Sequence, residues 1–144
     1  MRSRKQRKNL APIAAVVAAA ALAVPAFASG AIYTGTLKSG GTMSFQTTNR
    51  HGKIAGVKSF SMKNVPTTCD QGAYGYSGTL PFSIAVKSRA FSITTTGGAV
   101  IQQVSGLFTN QRRKATGSLN IYGTLAPGHS NCSTGKLSWS ATRR

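Results

Sequence analysis

From Ala115 to Leu125 apolar or small positions alternate with polar ones. Ala115, Gly117, Leu119, Ile121, Gly123 and Leu125 fall on one side, and Thr116, Ser118, Asn120, Tyr122 and Thr124 on the other. A period of two sends successive side chains to opposite faces of an extended chain, so this stretch predicts a half-buried antiparallel strand. The end of the chain repeats the pattern, with Leu137, Trp139 and Ala141 facing in and Lys136, Ser138, Ser140 and Thr142 facing out. Between residues 29 and 144, short runs rich in Thr, Ser, Val, Ile and aromatics are separated by Gly, Asn and Lys/Arg clusters, and no window carries apolar residues at helical spacing. The pattern predicts an all-β chain.

Eight strands are expected, at about 31–37, 42–48, 53–60, 79–86, 90–96, 100–109, 115–125 and 136–142. Short connections make neighbours antiparallel. Residues 61–78 are expected to form a longer link containing Pro66, Cys69 and the Gly/Tyr stretch 72–78, with room for one more short strand. A single small antiparallel β-sandwich or β-barrel follows, because a sheet must find a second layer or close on itself to bury its apolar face.

The first residues read differently. Arg2, Arg4, Lys5, Arg7 and Lys8 precede an uncharged Ala/Val-rich run from Leu10 to Phe27, which ends in Ala26-Phe27-Ala28. Basic start, apolar run and small-x-small ending make a secretory signal peptide, with cleavage expected after Ala28. Residues 1–28 are therefore the expected leader and 29–144 the all-β domain, secreted or associated with the cell wall. The alternative is a retained anchor, since the run approaches the ~20 residues that span a bilayer; Pro12, Pro25 and the weakly apolar alanines count against it.

Charge sharpens the picture. The chain has 18 Lys plus Arg and one acidic residue, Asp70, for a formal charge of +17. Without the leader it keeps thirteen cations against Asp70. A lone carboxylate excludes paired-carboxylate glycoside hydrolysis and carboxylate-rich metal cages. If each connection reverses direction, the turns at 87–89 and 110–114 and the C-terminus lie at one end of the sheet. That end then holds Lys87, Arg89, Arg112, Arg113, Lys114, Arg143 and Arg144, and the 49–52 turn adds Arg50. The same count sends 61–78 and 126–135 to the opposite end, where Cys69 and Cys132 meet. In an oxidising compartment these two cysteines are expected to form one disulfide. Metal binding through Cys132 and His129 is the alternative, with a thin ligand set.

Candidate chemistry is sparse. A Ser-His-Asp triad needs Asp70 with His51 or His129, and there is no Gly-x-Ser-x-Gly elbow to present a nucleophile. Asp70 reads more simply as a turn residue bonding nearby backbone amides, and His129 as an exposed loop residue. Gly97-Gly98 reads as a hairpin turn, with no helix after it to cradle a phosphate. Trp139 is expected in the core, whereas Tyr122 on the outer face and Tyr74 and Tyr76 in the link are the available aromatic platform.

The ending Cys132-Ser133-Thr134-Gly135-Lys136-Leu137-Ser138-Trp139-Ser140-Ala141 resembles that of small exported actinobacterial proteins, which typically read Cys-x-Thr-Gly-x-x-x-Trp-x-Ala. Tyr33-x-Gly35, Cys69 and Phe91-Ser92-Ile93 look like further landmarks of the same family. The resemblance implies a β fold with one disulfide and attaches no activity to it. Because the candidate chemistry is sparse, the expectation is a non-enzymatic domain, without cofactor, metal or specific nucleic-acid recognition. A single-sign field favours an anionic polymer of the cell envelope or another extracellular polyanion as partner. A carbohydrate- or protein-binding module using the face around Tyr122 is the alternative; the basic rim has the further reading of solubility alone.

Overall fold

The computed structural model describes residues 28–144 apart from Phe82, with the backbone only for Ser29. The leader expected over 1–28 lies outside the described residues, except for Ala28, which opens the first strand. Ten strands follow in order: β1 Ala28–Leu37, β2 Thr42–Arg50, β3 Lys53–Cys69, β4 Gly72–Thr79, β5 Ile84–Ala85, β6 Ala90–Gly97, β7 Val100–Phe108, β8 Lys114–Gly123, β9 Cys132–Ser133 and β10 Leu137–Arg143. The described residues contain no helix.

Pairing runs β10-β1-β2-β3-β9-β8, and β8 pairs again with β10, so six strands close into an antiparallel barrel. Closure removes the open edges a flat sheet would present. β7 and β6 extend outward from β8, while β4 and β5 pair with β3. β5 turns directly into β6 through backbone bonds between Lys87 and Ala90, so the two extensions meet.

Inward side chains from the barrel and from β6 and β7 form one aromatic cluster around Phe45. Its ring stacks on Tyr33 at 4.9 Å and on Phe60 at 5.7 Å, and meets Phe91, Phe108 and Trp139 edge-on at 6.0 Å. Gly117 and Gly106 face each other on β8 and β7 and make room for Trp139. A Cβ on Gly117 would lie 2.4 Å from Cζ2 of the indole, closer than packed carbons approach.

Two parts of the expected strand map are corrected. Residues 61–69 are the second half of the 17-residue β3, and 72–79 form β4, so most of the expected link is a hairpin. Ser59 and Asn64 adopt positive φ of 53° within β3, and its register against β2 and β4 shifts around these positions. Bulges of this kind bend a strand; beyond the second one β3 pairs with β4 on one edge and with β9 at Thr68 on the other. The expected strand at 79–86 shrinks to Ile84–Ala85. Pro81 has no N–H to give a ladder, and the backbone of Leu80 instead donates to the Phe60 carbonyl.

Candidate functional site

The cations expected at one end come from adjoining turns. Lys87 and Ala90 exchange two 2.8 Å backbone hydrogen bonds, which leaves Ser88 and Arg89 at the tip with φ of 47° and 68°. Two successive left-handed residues match the twist of a two-residue hairpin. The Arg89 carbonyl accepts from the Phe108 N–H, and its guanidinium donates to Oδ1 of Asn110, so this turn is tied to the one joining β7 to β8. In that second turn Arg112 has φ 55° and its guanidinium reaches across to the carbonyl of Gly52, in the turn between β2 and β3. Arg50 and Lys53 pair on either side of Gly52.

The C-terminus completes the group. The Arg143 N–H donates to the Arg113 carbonyl, Lys114 pairs with Thr142, and Arg144 bonds to the Ile32 carbonyl and, through Nε, to the Thr34 hydroxyl at 3.2 Å. Lys87, Arg89, Arg112, Arg113, Lys114, Arg143, Arg144 and Arg50 thus stand on neighbouring segments, and Lys53 joins them. The sequence pattern offered a signal for Lys53, since it opens the strand across the turn from Arg50. Beneath the rim the Tyr33 hydroxyl donates to the Arg112 carbonyl at 2.5 Å. Burial pushes the Tyr33 phenol above its ordinary range, and Arg143 and Arg112 oppose that rise.

The only acidic side chain stands at the other end of the barrel. Asp70 lies in the turn from β3 to β4, where its Oδ2 accepts from Asn131 at 2.6 Å and its N–H donates to Ser130. The expected bonding of its side chain to nearby amides is thus replaced by a contact across to the loop before β9. Gln71 and Ser130 exchange two further hydrogen bonds of 3.0 Å each. The disulfide between Cys69 and Cys132 joins the same two segments, 63 residues apart in the chain.

The remaining candidates separate. His51 sits in the turn from β2 to β3 at the rim, whereas the ring of His129 stacks on Tyr74 at 4.4 Å at the disulfide end. Among the described residues no three His, Cys, Asp or Glu gather as a metal site. Nor is any helix there long and apolar enough to cross a membrane.

The three tyrosines do not form one platform. Tyr122 faces out and is 37 % exposed, with Ile101 and Ser133 opposite it on the neighbouring strands. Tyr74 and Tyr76 lie opposite the buried Thr67 and Val65, on the core side of their hairpin. The Tyr76 hydroxyl accepts from Gln102 at 2.9 Å, and burial raises its pKa above the ordinary value. Trp139 is buried in the core. No protein-family model, no curated protein and no solved structure matches this chain.

Proposed function

We propose that this chain is an exported, non-enzymatic binding domain that associates with an anionic polymer of the cell envelope through its basic rim. One observation carries the reading: nine cations stand on adjoining turns, the strand ends beside them and the C-terminus, and the chain's only acidic side chain is bonded to Asn131 at the other end. A surface built for solubility alone normally mixes both signs. A one-sign rim instead concentrates polyanions and releases their counterions, which makes binding fall steeply with salt. Hydrogen bonds from Arg89 to Asn110 and from Arg112 to Gly52 hold two of the guanidiniums in place before any ligand arrives. The resemblance to small exported actinobacterial proteins agrees with this setting.

The test is binding of the purified protein to isolated cell wall, anionic vesicles, DNA and neutral polysaccharide across a salt series. Steep salt dependence with preference for the wall supports the proposal. The triple variant Arg112→Gln, Arg113→Gln, Lys114→Gln should then flatten the salt dependence of wall binding, and on the DNA arm lower the log–log slope by about 0.9 for each phosphate it no longer neutralises. An unchanged slope removes these residues from the binding surface.

A second reading rests on Tyr122. It stands on an outer face where Ser105 meets Ser118 at 2.9 Å and Asn120 donates to Gln103 at 3.1 Å, a hydroxyl and amide surface beside an exposed ring. Such a surface suits a sugar or a protein segment. Binding there would be nearly independent of salt and abolished in Tyr122→Ala.

A further inference from the structure

We infer that a cleft at the foot of the rim binds a small amphiphilic anion: one phosphate or carboxylate carrying a short apolar group. The inference rests on the reading of the rim as an anion-binding surface, and names the kind of group that enters it. The cleft has a volume of about 430 Å³ and is lined by Lys53, Ile54, Val86, Ser88, Arg89, Phe108 and Arg112. That volume lies within the range of small-ligand clefts.

The lining divides into two chemistries. Ile54 from β3, Val86 after β5 and Phe108 at the end of β7 provide apolar walls. Lys53, Arg89 and Arg112 supply positive charge, and Ser88 a hydroxyl. Guanidinium carries five N–H donors in a planar fork. The Arg112 fork spends a donor on Gly52 and that of Arg89 one on Asn110, so each is oriented and keeps donors for a ligand. No carboxylate side chain competes for them, because Asp70 is at the far end.

The backbone around the cleft is held in an uncommon conformation. His51, Ser88, Arg89 and Arg112 all have positive φ, between 47° and 68°. In tight hairpin turns this conformation is what the connection requires, and it fixes where each turn presents its cation. Here these residues set the three turns whose cations converge. A bare phosphate would satisfy those cations but leave Ile54 and Val86 wet. An attached alkyl or aryl group covers them, which is why both halves belong to one ligand.

Titrations followed by amide NMR test this with hexyl phosphate, inorganic phosphate and hexyl glucoside. Hexyl phosphate should bind about tenfold more tightly than inorganic phosphate, with shifts centred on Ile54, Val86 and Ser88, and hexyl glucoside should not bind there. Val86→Thr should remove most of the preference for the hexyl chain, whereas Arg89→Gln with Arg112→Gln should weaken both phosphates together. Phosphatidylcholine vesicles carrying phosphatidic acid separate the sources: capture reversed by hexyl phosphate identifies a lipid-borne phosphate, and capture unaffected by it leaves a free amphiphile as the ligand. Equal affinity for the two phosphates, with wall binding still steep in salt, overturns the cleft and spares the rim. Wall binding indifferent to salt, with hexyl phosphate still seated, overturns the rim and spares the cleft.

Discussion

At one end of the barrel a disulfide joins β3 to β9, the lone carboxylate is bonded to Asn131, and Gln71 and Ser130 exchange two hydrogen bonds. At the other, cations from adjoining turns are positioned by carbonyls and an amide, with no carboxylate side chain among them. The first end is cross-linked and carries the one acidic side chain, bonded to a neutral amide. The second holds its shape with no acidic side chain among its cations. Both ends share one aromatic cluster, so the difference lies in the turns. Cross-links serve cohesion at the first end, whereas the second gathers charge of one sign.

This contrast predicts a graded set of outcomes. The largest effect belongs to the cross-linked end. Cys69→Ser with Cys132→Ser opens a closed loop set by a separation of 63 residues and should cost about 4 kcal/mol in urea unfolding. Salt-dependent binding at the rim should persist under conditions where the variant remains folded. A loss below about 1 kcal/mol would mean that the hydrogen bonds of Asp70, Gln71 and Ser130 hold that end without the cross-link.

Tyr33 gives a smaller and pH-dependent effect. Its phenol has a raised pKa in the folded chain, chiefly through burial. Folded protein therefore keeps this proton where unfolded protein has begun to lose it, and stability falls as pH rises past the ordinary tyrosine value of 10.0. Tyr33→Phe should cost about 1 kcal/mol at neutral pH, because it removes the hydrogen bond to Arg112. It should also flatten the alkaline decline in melting temperature; an identical decline in both proteins would assign it elsewhere.

The smallest effect on stability is expected at the rim itself. The triple variant of Arg112, Arg113 and Lys114 should unfold within about 0.5 kcal/mol of the native chain. A large loss in urea unfolding would make these cations structural and erase the contrast between the ends.

Much of this arrangement was legible because alternation and antiparallel bookkeeping need only approximate boundaries. β8 and β10 keep one phase throughout, so Leu119, Ile121 and Trp139 read as inward and Tyr122 as outward, as observed. The turns bearing Arg89 and Arg112 and the C-terminus fell to one end because β4 and β5 both run antiparallel to β3, and β9 and β10 both antiparallel to β8, so each pair counts as one reversal and the expected alternation keeps its parity. β3 was hidden for a definite reason. Val57 is buried, then Phe60 and Met62, then Val65, Thr67 and Cys69, so the inward phase flips at Ser59 and again at Asn64. A strand whose parity changes twice does not look like a strand. The same concealment put Tyr74 and Tyr76 in an apparent link and hid their inward direction. The cleft was illegible for another reason: Ile54, Val86 and Phe108 are far apart in sequence and meet only through tertiary pairing.

The pairing of β1 with β10 has a kinetic consequence. Tyr33 lies opposite Arg143 and Leu37 opposite Trp139, so the seam joins the first strand in chain order to the last. The intervening hairpins are local and form early, whereas the seam waits for the whole chain and closes the largest loop of all. Until then β1 and β8 each present an unpaired edge, and a chain lacking β10 would keep both permanently open to pairing with other chains. Closure of the barrel therefore rests on the final seven-residue strand.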